Sequence, residues 1–436
     1  MNPEPEEEIE SPKGLLKLGT LAAFAGILIG LIGGAFRFGL TWADTHRTQW
    51  IEQLHSWPWL GWIVPVLFAA VAAAVARWLV RFAPLAAGSG VQHVEAVMRC
   101  EAERAPLLVL PVKFFGGLLA IGAGLALGRE GPTVQMGSTI GAWIADRCRM
   151  VVADVRAMQA ALAGAGLAVA FNAPLGGALF VFEEVSRSFR LRLVIATLIS
   201  AGAAIAVSRL MLGDTPDFRV VNPPATPVPA LLAYLIFGAL LGVLGVWYNR
   251  STIFWMDAIA SLRRLPVEMR AALVGATVGL VGWFAPEWIG GGDPLNQDLL
   301  LNGAGLGILV LIFGVRWIIG PLSYSAGTPG GLFAPLLLVG STLGLLFAGG
   351  ANLMLPESLH LIGSAFAVVG MAAYFTAVVR APFTGIVLIA EMTATTHLLV
   401  PMMISCFAAT TVSTLCKGPP IYDTLRSRML AQLKRS

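Results

Sequence analysis

"GREGPTVQMG", residues Gly128 to Gly137, sets Arg129 beside Glu130 inside a run that carries no other charge from Phe114 to Ala145. A charged side chain at mid-bilayer depth costs roughly 2.5–3.5 kcal/mol. If the surrounding run lies in a membrane, the pair is a candidate buried ion pair and a functional site rather than an ordinary surface feature. Composition answers the first half of that question. The 436 residues are 57% hydrophobic and 12% charged, with a mean hydropathy of +0.77, whereas soluble domains carry about 25% charged residues. The chain reads as a polytopic, all-α membrane protein.

Uncharged stretches recur outward from this motif in both directions: Leu18 to Phe36, Trp57 to Ala76, Ala157 to Phe182, Val220 to Asn249, Leu299 to Val315 and Trp317 to Pro356. Several reach the roughly 20 residues that a helix needs to cross the hydrocarbon core. Others are cut by glycine and proline, which predicts helices that enter the membrane without crossing it, in places where protein or a watery cavity covers the open backbone. The start, "MNPEPEEEIESPKG", is acidic and lacks the basic region of a cleavable signal, so the first apolar stretch is expected to be retained. The closing "LRSRMLAQLKRS" is basic and is expected on the cytoplasmic side. Cys100, Cys148, Cys406 and Cys416 show no paired spacing, so no metal site or disulfide framework is expected.

The chain also repeats itself. "FAPLAAGSG" from Phe82 aligns with "FAPEWIGGG" from Phe284, "GREGPTVQMG" from Gly128 with "GLFAPLLLVG" from Gly331, and "APLGGALFVFEE" from Ala173 with "APFTGIVLIAEM" from Ala381. The three matches keep one order and nearly one offset. They divide the chain at the proline-rich "VVNPPATPVPA" that begins at Val220. The resulting boundaries are a cytoplasmic N-terminal segment at 1–13, a first transmembrane repeat at 14–219, a second at 220–416, and a cytoplasmic tail at 417–436, with no soluble domain expected after the last apolar segment. Duplicated halves with glycine- and proline-broken segments in matching places point to a transporter whose site lies at the repeat interface. In each motif the proline reads as a helix start: Pro132, Pro335, Pro174 and Pro382. Helix starts expose amides carrying about half a positive charge, and glycine lets an anion approach them. Several such ends aimed at one point would bind an anion without a full buried cation.

These motifs resemble the CLC family of chloride channels and proton-coupled chloride transporters. The resemblance rests on "GSG" at Gly88 to Gly90, "GREGP" at Gly128 to Pro132, "GGLFAP" at Gly330 to Pro335, "AFNAPLGGALFVFEE", "APFTGIVLIAEMT" and a late tyrosine, Tyr422. It implies two inverted-topology repeats of tilted and broken helices, and a homodimer with one anion pathway per subunit. It also implies that the Ser89 and Tyr422 hydroxyls and the Leu332 and Phe333 amides hold a dehydrated chloride. The glycines Gly88, Gly90, Gly128, Gly131, Gly330 and Gly331, with Pro132, would then shape the helix starts. Glu130 matches the external gating glutamate, and Glu184 the internal proton-transfer glutamate that channel members generally lack.

The expected activity is therefore chloride/proton antiport in a bacterial inner membrane with both termini cytoplasmic, with chloride as transported ligand, no cofactor, no metal and no nucleic-acid partner. The alternatives are a passive voltage- or pH-gated chloride channel of the same fold and an intramembrane enzyme using Ser89, which lacks a base. One departure stands out: the family's first motif usually continues with an aliphatic residue and proline, whereas this chain reads "GSGVQH", with Gln92 in the proline position. Arg129, Glu183 and Glu391 are expected to be structural, and His93 to be solvent-facing or loosely packed.

Overall fold

The repeat in the sequence becomes a repeat of helices. The structure, a computed structural model, describes residues 12–57, 59–220 and 228–434. The first eleven residues of the acidic N-terminal segment and residues 221–227 of the proline-rich linker lie outside the described residues. The first half comprises α1 (Pro12–Leu54), α2 (Ile63–Leu79), α3 (Val91–Met98), α4 (Val109–Gly122), α5 (Glu130–Arg147), α6 (Val152–Phe171), α7 (Pro174–Phe180) and α8 (Leu191–Leu212). The second half follows the same order: α9 (Leu231–Ser261), α10 (Val267–Phe284), α11 (Asp293–Asn302), α12 (Leu306–Ser325), α13 (Phe333–Asn352), α14 (Gly363–Val379), α15 (Pro382–Thr393) and α16 (Leu399–Leu415). A last helix, α17 (Ile421–Leu433), has no counterpart in the first half among the described residues.

Among the described residues, eight helices of at least 18 residues are apolar enough to cross a membrane, one of them α14 taken together with the turn before it, as Glu357–Val379. The eight-residue α3 and seven-residue α7 are too short to do so. Contacts repeat along with order: α5 packs on α6 as α13 packs on α14, and α1 packs on α8 as α9 packs on α16. Small residues permit these close approaches. A β-carbon on Gly137 of α5 would overlap the Leu162 carbonyl of α6, and one on Gly340 of α13 would overlap the Gly370 carbonyl of α14.

The halves are inverted relative to one another, and the contacts between them show where the pseudo-two-fold axis runs. Corresponding helices touch across it, α2 against α10 and α7 against α15. Gly128 and Gly331, matched in the sequence repeat, pair with each other in an antiparallel bridge, each amide donating to the other's carbonyl at 2.9 and 2.7 Å. Antiparallel pairing of equivalent residues is what a two-fold axis between them requires.

The four prolines all stand in first turns, but not all at the same position. Pro174 and Pro382 are the first residues of their helices, whereas Pro132 and Pro335 are the third residues of α5 and α13. The physical reason is unchanged, because the first α-helical amide bond of α5 comes only from Thr133, to the Arg129 carbonyl, and an earlier amide would have no partner to lose.

Candidate anion and proton site

Four elements meet beside the Gly128–Gly331 bridge. The first is the loop Gly88–Gly90 ahead of α3. Gly88 and Gly90 adopt φ of +62° and +91°, left-handed values that disfavour any residue with a β-carbon. The loop's first two carbonyls are both taken: the buried Lys113 ammonium of α4 donates to the Gly88 carbonyl at 2.6 Å and the Ser89 carbonyl at 2.9 Å, and the Gly330 N–H donates to the Gly88 carbonyl at 3.1 Å. Ser89 is fully buried and its hydroxyl has no hydrogen-bond partner.

The second and third elements are the starts of α5 and α13. Glu130 opens α5 and is fully buried. Its Oε1 accepts the Phe333 backbone N–H, the first of α13, at 2.6 Å, while its Oε2 has no partner. The slot for this carboxylate is made of glycine, since a β-carbon on Gly331 would overlap Oε1 and one on Gly128 would overlap Oε2. Gly131 serves the neighbouring group in the same way, because a β-carbon there would overlap the Ser89 hydroxyl. Leu332 and Phe333 are both fully buried. The Phe333 ring packs against Phe375 at 4.7 Å, Phe180 at 5.7 Å and Tyr422 at 5.7 Å between centroids. The fourth element is α17, whose second residue, Tyr422, is fully buried with an unpartnered hydroxyl.

Buried polar atoms are nearly always hydrogen-bonded, so each unpartnered one calls for an explanation. Here the Ser89 hydroxyl, the Tyr422 hydroxyl and one carboxylate oxygen of Glu130 are all buried and unpartnered. They surround the start of a helix whose first amide is already held by a carboxylate. The arrangement suits a small desolvated anion that accepts hydroxyl and amide protons.

Arg129 and Glu130 do not form the ion pair that their adjacency suggests. Adjacent residues on a helix point in different directions. The Arg129 guanidinium turns to the Ala170 carbonyl at 2.7 Å, to Asp217 at 3.0 Å and to Asp293 at 2.9 Å. Asp217 also pairs with Arg37 at 2.6 Å, and Arg37 donates to the Val169 carbonyl at 2.8 Å. This network ties α1, the end of α6 and the start of α11 around the turn that carries Glu130, the structural part expected of Arg129. Asp217 and Asp293 escaped the sequence reading, because nothing local marks a carboxylate whose partner lies far along the chain, 88 residues from Asp217 to Arg129 and 180 from Asp217 to Arg37.

Glu184 has a different set of partners. It is buried in a short π-helical turn, Val181–Val185, with Oε1 unpartnered and Oε2 3.5 Å from Arg187. Arg187 in turn lies 4.0 Å from Asp423 of α17. Asp423 pairs with Arg426 at 2.7 Å, and Arg426 reaches the buried Glu95 of α3 at 3.0 Å. The helix that presents Tyr422 is therefore anchored by ion pairs beside Glu184. Glu95, Arg426 and Lys113 were missed for one reason: each lies near a segment end in the sequence, where charge is ordinary.

Glu183 and Glu391, the matched carboxylates, are structural in a way their spacing did not disclose. Rather than local groups, each binds the start of the other half's short helix. Glu183 accepts the Phe383 and Thr384 amides at 3.1 and 2.7 Å and the Thr384 hydroxyl at 2.7 Å. Glu391 accepts the Leu175 and Gly176 amides at 3.1 and 2.7 Å. The expectation for His93 is corrected: it is 2% exposed, and its Nε2 bonds the Glu103 carbonyl at 3.0 Å. All of α3 up to Val97 is buried, so a re-entrant helix leaves no solvent face for a histidine.

A family model described as voltage gated chloride channel matches residues 71–414. A protein named H(+)/Cl(-) exchange transporter ClcA from Cronobacter sakazakii is 38% identical over 422 residues, covering 94% of this chain and 90% of that protein. A protein of the same name from Vibrio parahaemolyticus is 39% identical over 420 residues, covering 94% and 89%. Among solved structures, a slow cyanobacterial Cl-/H+ antiporter superposes with a TM-score of 0.88 at 31% identity, covering 95% of this chain and 98% of that one.

Proposed function

Because the chain belongs to the voltage gated chloride channel family, we propose that it exchanges chloride for protons, moving the two in opposite directions across the membrane. The observation that carries this reading is the Glu130 carboxylate seated on the Phe333 amide at 2.6 Å. An ionised carboxylate there holds a helix-start amide that an anion would otherwise take. Protonation removes the charge from that hydrogen bond, the side chain withdraws, and chloride binds between the Phe333 and Leu332 amides and the Ser89 and Tyr422 hydroxyls. Proton binding and chloride binding thereby become linked events on one side chain, since each favours the same withdrawn conformer.

Protons reach Glu130 from Glu184 along a route separate from the anion's until the two merge. No cofactor takes part, and chloride is cargo rather than a resident ligand. The membrane is the bacterial inner membrane with both termini cytoplasmic. The functional unit is a homodimer whose contact face is built on α7 and α15. These helices are too short to cross the bilayer, so the open backbone at their ends needs cover from protein. Leu175 and Phe383, at their starts, are 54% and 56% exposed in the single chain.

The test uses the purified protein in liposomes. A chloride gradient is imposed, the membrane potential is clamped with potassium and valinomycin away from the proton equilibrium value, and proton movement is followed with a pH electrode. Chloride-driven uphill proton movement is the expected result. Chloride flux without coupled proton movement would replace exchange by passive conduction.

A further inference from the structure

The Gly88–Gly90 loop does not present free amides. The Gly90 N–H donates to the side-chain Oε1 of Gln92 at 3.1 Å, and the Ser89 N–H meets the Tyr324 hydroxyl at 3.4 Å. Gln92 and Tyr324 are themselves buried, 8% and 5% exposed. They lie side by side beneath the loop's first glycine, where a β-carbon on Gly88 would stand 3.0 Å from the Tyr324 hydroxyl and 3.7 Å from Gln92 Nε2. The same loop carries the unpartnered Ser89 hydroxyl, and its carbonyls are held by Lys113. This loop is thus built to offer amides toward an anion, yet two side-chain oxygens already occupy them.

We propose that Gln92 sets the anion affinity of this site by competing with the transported anion for the Gly90 amide, with Tyr324 acting in the same way on the Ser89 amide. The proposal rests on the exchange reading above and adds a determinant to it. An N–H makes one strong bond at a time, so an anion gains the Gly90 amide only by displacing the glutamine oxygen. While that oxygen stays, its partial negative charge opposes the anion as well. The proline that usually stands here in the family carries no side-chain acceptor and leaves the amide open. Gln92 is a positioning residue in this scheme: it need not touch chloride, and it tunes how much of the α3 helix-start field chloride can use.

The experiment titrates chloride calorimetrically into the purified full-length protein and the variants Gln92→Ala, Gln92→Pro, Gln92→Glu and Tyr324→Phe. The proton-to-chloride ratio of each is then measured in liposomes. Freeing one amide from a neutral acceptor should tighten chloride binding about three- to tenfold in Gln92→Ala and Gln92→Pro, with Tyr324→Phe shifting the same way. Gln92→Glu keeps an acceptor in place and adds charge, so it should weaken binding by at least as much. The transport ratio should stay at the unsubstituted value throughout. A purely structural role would lower affinity in every variant, and unchanged or weaker binding in both Gln92→Ala and Gln92→Pro would overturn the proposal while leaving exchange intact. An unsubstituted protein that binds no chloride and moves no protons against a chloride gradient would overturn the exchange reading and this inference with it.

Discussion

Replacing Glu130 by glutamine isolates the charge from the shape of the side chain that closes the site. The glutamine keeps an oxygen for the Phe333 amide and fits the slot between Gly128 and Gly331, but it cannot ionise. A hydrogen bond to a charged group contributes about 1.5–3 kcal/mol, and one between neutral groups about 0.5–1.5 kcal/mol. The 2.6 Å bond from the Phe333 N–H to Oε1 should therefore weaken by about 1–1.5 kcal/mol. At about 1.4 kcal/mol per factor of ten, the side chain becomes roughly tenfold easier for chloride to displace. Calorimetric titration should show chloride binding tighter by that factor at pH 7.5. The pH dependence should change as well: in the unsubstituted protein chloride affinity falls as pH rises and the carboxylate ionises, whereas the variant should be flat. In liposomes it should pass chloride without coupled protons. Proton uptake driven by a chloride gradient at the unsubstituted rate would refute the argument, because no titratable group would then stand where the two routes merge.

The other substitutions probe separate parts of the structure. Glu184→Gln should remove proton movement and retain chloride flux, read by pH electrode and chloride efflux on the same vesicles. Tyr422→Phe, which deletes a buried unpartnered hydroxyl, should cost about three- to tenfold in chloride affinity without loss of thermal stability. Glu183→Ala removes three hydrogen bonds from the start of α15 and should destabilise the protein by about 2 kcal/mol, the upper range for a lost helix cap. That loss is measurable as a lower midpoint in a detergent melt, with Glu183→Gln intermediate. Asp217→Ala leaves the part-buried Arg37 and Arg129 short of a shared partner and should cost about 1.5–3 kcal/mol; a melt unchanged within error would show that Arg129 needs only Asp293.

What could be read beforehand divides along a physical line. Glycine, proline and apolar length are local signals, so the polytopic helical class, the duplicated halves and the broken helix starts at Gly128 and Gly331 were all legible. So was the asymmetry between Glu130 and its counterpart Phe333, because the repeat supplies its own comparison. Partnerships across the fold were not. Glu183 and Glu391 match in sequence, yet nothing in their spacing says that each holds the other half's helix. Lys113 sits at the edge of an apolar run and looks like an interfacial anchor until α4 is seen to carry it beneath the Ser89 loop. Arg129 and Glu130, adjacent in the chain, suggested a pair that helix geometry separates.

The inverted repeat also sets the loop proposed as an anion site beside a twin with which it can be compared. Lys113 and Arg316 are counterparts, and so are the loops they hold: Arg316 of α12 donates to the Gly290 and Gly291 carbonyls at 2.9 and 3.0 Å, as Lys113 does to Gly88 and Ser89. Gly290 and Gly292 take φ of +72° and +96°, close to the values in the first loop. Backbone geometry and buried cation are thus common to both copies and follow from the fold. The differences are a serine hydroxyl in one loop where the other has Gly291, and Asp293 at the start of α11 where α3 begins with Val91. A carboxylate at that helix start is engaged with Arg129 at 2.9 Å, a partner the first loop lacks. In the first loop the answering groups are neutral, Gln92 and Tyr324, and a neutral group can yield to an anion where a fixed carboxylate cannot. Glu130 lies between these cases, a carboxylate that becomes neutral on taking a proton, and that is the property the proposed exchange requires of the side chain where its two routes would cross.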